Sequence, residues 1–228
     1  MIPLRDTIPA ERFPIVSILL IVVNTLVFLF EISLGLELNK FIAIWGMVPK
    51  RYFDLTQNEW LNFPERFYPF FSSMFLHGGW MHLIGNMWFL WIFGDNVEDR
   101  LGRRKFLLFY IFCGLIAGFT HAYTNPNSAI PTVGASGALA GVMGAYFILY
   151  PQSRILTLIP IFFVYLTEIR AFYFLVFWFV YQFLYGVVDL ALRTHAVAGV
   201  AWWAHIGGFL VGAILALIFF KRPRSRSI

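Results

Sequence analysis

The chain has 228 residues, of which 60% are hydrophobic and 13% charged, with a mean hydropathy of +0.73 and a formal net charge of +5. Soluble domains carry roughly 25% charged residues, so this composition excludes a soluble globular protein and points to a polytopic membrane protein. The lone Cys113 sits in an apolar run, which excludes a disulfide within the chain and makes core filling its expected role. Spans of about 20 apolar residues leave room for six or seven helices and no large soluble unit, so one domain is expected over 1–228.

The first long apolar run, Phe13 to Leu34, is bracketed by charge and lacks the short core and small-residue cleavage site of a signal peptide. It reads as an uncleaved first span at about 14–35. Leu36 to Leu76 follows as a long outer segment, with Trp45, Tyr52, Phe53, Trp60, Phe63, Phe67, Tyr68, Phe70 and Phe71 interleaved among few charges. Such a pattern suits structure lying in the membrane interface and dipping into the outer leaflet. Five more spans are expected at about 79–96, 105–123, 134–150, 171–190 and 200–220. Between the fourth and fifth, Ile155 to Leu166 is apolar apart from Thr157, contains Pro160 and is flanked by Arg154 and Glu168. It is too short to span and reads as an interfacial or re-entrant piece on the cytoplasmic side.

Twelve of the basic residues, including Arg100, Arg103, Arg104, Lys105 and those of the tail from Lys221 to Arg226, fall on one side of these spans. Five, Lys40, Lys50, Arg51, Arg66 and Arg193, fall on the other. The imbalance places both termini in the cytoplasm. The positive charge is therefore a topology signal whose natural partner is the anionic lipid surface, and nothing else supports a nucleic-acid partner.

Polar residues inside spans are costly and survive where they pack, pair or work. The short list is His82, Asn86, Ser136 and His205. His82 and Asn86 are four apart and share a helical face. Ser136 lies near the outer end of the fourth span, and His205 about two turns into the sixth, so the two reach similar depth. Gly137 and Gly141, with Ala140 and Gly144, and across from them Ala204, Gly208 and Gly212, form small-residue stripes that let two helix backbones approach closely. His205 sits on that stripe, so packing the fourth span on the sixth brings imidazole toward hydroxyl, the geometry of a base-assisted nucleophile. Taken singly, a serine in such a helix ordinarily bonds its own backbone, a span histidine is ordinarily a buried hydrogen-bonded residue, and His82 with Asn86 could be a helix-bridging clasp. The constellation carries more than any member. His77 and His82 are five apart, off a common helical face, and no carboxylate or cysteine accompanies them, so no metal is expected. No cofactor is expected either.

The run His77-Gly-Gly-Trp-Met-His82-Leu-Ile-Gly-Asn86, the quartet Gly134-Ala-Ser136-Gly137 and the run Ala204-His205-Ile-Gly-Gly208-Phe-Leu-Val-Gly212, in that order on the second, fourth and sixth spans, resemble the rhomboid intramembrane serine proteases. The resemblance implies an all-α six-span bundle with a long interfacial first outer loop, and a serine endopeptidase that cleaves transmembrane segments of other membrane proteins. It implies a dyad of Ser136 as nucleophile and His205 as base, without an acidic third member. His82, Asn86 and the Ser136 backbone N–H would form the oxyanion hole. Gly134 and Gly137 would keep the ground beside the serine clear, and His77 would tie the outer loop to the core. A lateral entrance between the second and fifth spans is the family's expectation, with the aromatic run Phe172 to Phe183 as its wall.

The chain departs from the family in three places, one being the inserted stretch Ile155 to Leu166, which lengthens the fourth connection beyond that of the smallest members. Many members carry Trp-Arg where Tyr68-Pro69 stands, nine and eight residues before His77, and some carry a tyrosine four residues after the serine where Ala140 stands. Whatever orients His205 must then come from elsewhere, with Trp202 and Trp203 as the candidates. A catalytically silent relative that binds transmembrane clients is the alternative function. A transporter is disfavoured because the acids near spans, such as Glu31, Asp95 and Asp189, lie toward their ends. Short tails with cytoplasmic termini suit a bacterial inner membrane.

Overall fold

The computed structural model describes residues 1–53, 63–160, 164–192 and 200–219, the side chains of 63–66 and 192 excepted. Trp60, Arg193, the basic tail from Lys221 to Arg226, and the side chains of Phe63 and Arg66 lie outside the described residues. In chain order the elements are β1 (Ile2–Asp6), α1 (Ile15–Ser33), α2 (Leu38–Trp45), α3 (Lys50–Phe53), α4 (Phe63–Ser72), α5 (Trp80–Leu101), α6 (Arg103–Thr124), α7 (Ser136–Leu149), β2 (Arg154–Pro160), β3 (Val164–Arg170), α8 (Ala171–Leu192) and α9 (Trp202–Phe219).

Six of these helices, α1 and α5 to α9, occupy the expected spans. Four of them, α1, α6, α8 and α9, are long and apolar enough to cross a membrane. The other two depart from a plain span for physical reasons. α5 ends in the charged and polar stretch from Asp95 to Arg100, which interrupts its apolar length. α7 has 14 residues, a length of about 21 Å against a hydrocarbon core of about 30 Å. A helix that short does not match the full thickness of the core. Its first residue is Ser136.

The bundle end that holds the α5–α6 turn is fastened by polar contacts. α1 starts at Pro14 without a side-chain cap, leaving first-turn N–H groups without intrahelical partners. The carboxylate of Glu98 from α5 fills that place, accepting from Val16 N–H at 2.9 Å, Ser17 N–H at 2.8 Å and Ser17 Oγ–H at 2.9 Å. An anion at a helix N-terminus is also favoured by the helix dipole. α5 and α6 are joined by Gly102 alone, which turns the chain with φ of +76°, a conformation side chains rarely adopt.

The segment Ile155 to Leu166 is where the structure corrects the sequence reading. Its described residues are a β-hairpin rather than a re-entrant piece, β2 pairing antiparallel with β3 from Arg154↔Arg170 to Pro160↔Val164. The amino terminus supplies the third strand, β1 on β2 from Ile2↔Leu158 to Asp6↔Ile155. Ile155 and Thr157, alternate residues of β2, are buried, the period-2 pattern of a strand. β1 is tied to the bundle by Trp88 Nε1–H donating to Pro3 O at 2.6 Å, and by Tyr146 Oη–H and Asn96 Nδ2–H donating to Asp6 Oδ2 at 2.6 and 2.8 Å.

At the opposite end, the outer loop packs on the connection that leads into α7. Met47 and Thr132 form a bridge, Lys50 N–H donates to Ser128 O at 2.9 Å, and Gly134 N–H donates to Ser73 O at 2.8 Å. In place of the family's Trp-Arg pair, aromatic contacts anchor the loop. Tyr68 lies 4.9 Å from Trp45, Ser72 Oγ–H donates to Trp45 O at 2.6 Å, and Phe70 stacks on Phe119 at 4.1 Å.

The centre is the seam between α7 and α9. A Cβ at Gly208 would run into the carbonyl oxygen of Gly137, one at Gly212 into that of Gly141, and one at Gly144 into that of Phe209. The two backbones touch, as the small-residue stripes predict. On the other side of α7, Cys113 of α6 packs on Gly141, completely buried and acting as core filler. α8 lies outside this seam. Its buried stripe, Ala171, Phe174, Leu175, Gln182, Gly186 and Asp189, follows the helical period.

Candidate active site

The chain enters α7 through Gly134, which has φ of +130°. A Cβ there would lie 2.6 Å from His82 Nε2 and 3.6 Å from Ser136 Oγ, so the glycine is demanded by conformation and by space together. The imidazole of His82 and the hydroxyl of Ser136 flank this gap. Ser136, as the first residue of α7, presents a backbone N–H that the helix cannot satisfy, at the positive end of the helix dipole.

Ser136 does not bond its own backbone. Its hydroxyl donates to His205 Nε2 at 2.8 Å across the seam. His205 is the fourth residue of α9, one turn in rather than two, because the helix begins at Trp202. The other ring nitrogen, Nδ1, pairs with Gln182 Oε1 at 2.8 Å. A carbonyl oxygen can only accept, so Nδ1 carries the proton and Nε2 is left as the acceptor facing the hydroxyl. Trp178 of α8 leans over the same imidazole, ring centroids 6.0 Å apart at 35°.

Gln182 and Trp178 are the residues that sequence reasoning missed. Trp202 and Trp203, the candidates for orienting His205, do not bond it. Their indole nitrogens are buried without partners, and their rings pack on Tyr185 and Phe183. A signal was present: Gln182 is the one amide in the fifth span and lies on its buried stripe.

His82 and Asn86 share a face of α5, as their spacing predicts. Gly78 N–H donates to His82 Nδ1 at 3.4 Å, which leaves the proton on Nε2, on the edge facing Gly134 and Ser136. Asn86 is buried, and its Nδ2–H donates to His77 Nε2 at 3.0 Å. His77 in turn gives its backbone N–H to the buried Glu31 carboxylate at 3.1 Å, and its ring meets His82 edge to face at 5.1 Å. His77 thus joins α1 and the end of the outer loop to α5. Glu31, near the end of α1, is a buried structural acceptor. Among the described residues, no group of three or more His, Cys, Asp or Glu side chains comes together as a metal site.

The family model for the Rhomboid domain matches residues 64–222. The chain is 32% identical to "RHOMBOID-like protein 6, mitochondrial" of Arabidopsis thaliana over 68% of its own length and 44% of that protein's. It is 41% identical to "Rhomboid-like protein 11, chloroplastic" of the same plant over 36% of this chain and 28% of that one. It is 38% identical to "Rhomboid protein 1, mitochondrial" of Saccharomyces cerevisiae over 37% and 26% of the two lengths. The matched part spans less than half of each of these relatives. A multi-pass integral membrane protein agrees with all three. Their names are organellar, and the expectation of a bacterial inner membrane finds no support in them.

Proposed function

Because the chain belongs to the rhomboid family, we propose that it is an intramembrane serine endopeptidase acting on transmembrane segments of other proteins. The observation that carries this reading is the 2.8 Å hydrogen bond from Ser136 Oγ to His205 Nε2, made between two helices whose backbones are in contact. Ser136 Oγ attacks the scissile carbonyl carbon while His205 Nε2 takes its proton. The same nitrogen then returns that proton to the leaving amine as the C–N bond breaks. Water, activated by the same imidazole, releases the acyl group from Ser136.

The tetrahedral oxyanion is received by the Ser136 N–H, the His82 Nε2–H and the second N–H of the Asn86 amide. Donors fixed before reaction in a poorly hydrated site are worth several kcal/mol, about 3 for a single one. The basic ends of the helices lie on the cytoplasmic side, so the site opens on the opposite face. A nucleophile below the membrane surface reaches peptide bonds inside a transmembrane helix, and such a helix must unwind locally to present an extended backbone. Entry between α5 and α8 is the route this reading adopts.

Reaction of the solubilised protein with a fluorophosphonate, with the adduct located by mass spectrometry, tests the assignment. The expected result is labelling at Ser136 that is absent in Ser136→Ala and falls sharply in His205→Ala. A well-folded wild type that resists several probes across a range of pH would replace this reading with that of a client-binding relative without activity.

A further inference from the structure

We propose that Gln182 is the positioning residue of the Ser136–His205 pair, a neutral third member that fixes the tautomer of His205 and makes it depend on the seating of α8. The proposal rests on the hydrolase reading above and deepens it.

Three observations support it. First, the amide oxygen lies 2.8 Å from His205 Nδ1, within the range of a well-formed hydrogen bond. Second, Gln182 is 6% exposed, so its amide is shielded from the water that would otherwise compete for the imidazole. Third, among the described residues no other side chain hydrogen-bonds Nδ1. Trp178 presents an aromatic ring, while Trp202 and Trp203 carry indole donors without partners. The titratable side chains whose charge would act on His205 are His82 from α5 and His121 from α6. On α8, Tyr181 and Tyr185 pair with each other and with Trp202, and α9 holds no second titratable residue.

The chemistry suits the location. When His205 takes the proton of Ser136 it becomes an imidazolium, and Nδ1–H must keep a good acceptor. A carboxylate would serve better in water, but burying one at this depth costs several kcal/mol unless it is paired. An amide carbonyl supplies the acceptor and the orientation without a buried charge. The serine and the histidine stand on the α7–α9 seam, whereas this acceptor stands on α8, which meets α9 through rings such as Phe179 on Phe209 at 5.0 Å. A shift of α8 by about an ångström breaks the bond and frees the ring to take the unproductive tautomer.

The test is kcat, KM and the pH profile of cleavage of a fluorogenic transmembrane-segment peptide by the full chain in detergent, for wild type, Gln182→Met and Gln182→Glu. Methionine keeps the length and removes the acceptor, so kcat is expected to fall about 10- to 100-fold with KM within about twofold. Glutamate keeps an acceptor and adds charge. It is expected to lose less kcat than Gln182→Met and to move the acid limb of the kcat/KM profile upward by about one pH unit. An active wild type with an equally active Gln182→Met overturns the proposal, as does a Gln182→Glu that is as slow as Gln182→Met or shares the wild-type pH profile. A wild type that neither cleaves nor labels at Ser136 overturns the hydrolase reading, and this one with it.

Discussion

α9 is gripped on two sides by different means. Against α7 the closest contact is backbone on backbone: Gly208 and Gly212 lie on the carbonyls of Gly137 and Gly141. Against α8 it meets large rings, Phe209 between Trp178 at 5.9 Å and Phe179 at 5.0 Å, and Trp202 stacked on Tyr185 at 5.2 Å. Backbone contact admits almost no relative movement, because any shift either drives Cα into carbonyl or opens a gap. Ring contacts tolerate sliding and tilting at small cost, since offset and edge arrangements are close in energy. The two reacting groups sit on the first kind of contact, and the acceptor that orients one of them sits on the second. Precision in the Ser136–His205 distance and adjustability in the wall beside it are thereby assigned to separate interfaces.

Breaking the seam should have the largest effect. Gly208→Val puts a branched side chain against the Gly137 carbonyl and is expected to cost on the order of 3 kcal/mol or more. Little monodisperse protein should survive solubilisation, and what survives should show a much lower Tm. A variant as stable as wild type would mean that the seam is looser than backbone contact allows.

Gly134→Ala separates site from seam. Its φ of +130° and the 2.6 Å approach to His82 force the alanine to strain the loop or displace the imidazole. Activity is expected to fall about 100-fold, with stability lowered by only the ~1–3 kcal/mol of local strain. Rate measurements beside a melting curve distinguish this from general unfolding.

Trp178→Ala probes the ring-packed side. It removes the face over His205 and one wall of Phe209, and about a tenfold loss of kcat is expected. The drop in Tm should be smaller than for Gly208→Val, because α8 can resettle. Equal losses of stability in the two variants would erase the distinction between the contacts.

The smallest expected effect lies away from both contacts. Burial pushes the Asp6 carboxyl up from its ordinary value of 3.8 to about 7, against the lowering influence of the Tyr146 hydroxyl. The folded protein then holds a proton that the unfolded chain releases, so this stabilisation is full below 3.8 and is lost as pH rises toward about 7. Melting temperatures of wild type minus Asp6→Asn should therefore decline across that window and level off above it. A flat difference would detach Asp6 from the stability of the β1 attachment.

Much of this was legible before any coordinates. The spans were visible as apolar runs, and the α7–α9 contact as small residues at four-residue spacing, because both are local patterns. The same holds for His82 and Asn86, whose shared face follows from helical periodicity. The sheet was not legible. Ile155 to Pro160 is apolar enough to read as a membrane piece, and its partner β1 lies some 150 residues earlier, a pairing that no local pattern announces. Gln182 was missed for another reason: an amide in an apolar span has many conceivable partners, and which one it meets depends on the rotation of α8. The stripe from Ala171 through Phe174 and Gln182 to Gly186 fixes that rotation and would have aimed Gln182 inward.

The measurement that bears most directly on the account is cleavage of a single-span reporter co-reconstituted with the protein in liposomes, for wild type, Ser136→Ala and His205→Ala. The account predicts a wild-type product whose new terminus lies in or beside the reporter's transmembrane segment, and no product from either variant. An intact reporter with a folded wild type, or the same product from Ser136→Ala, would contradict it.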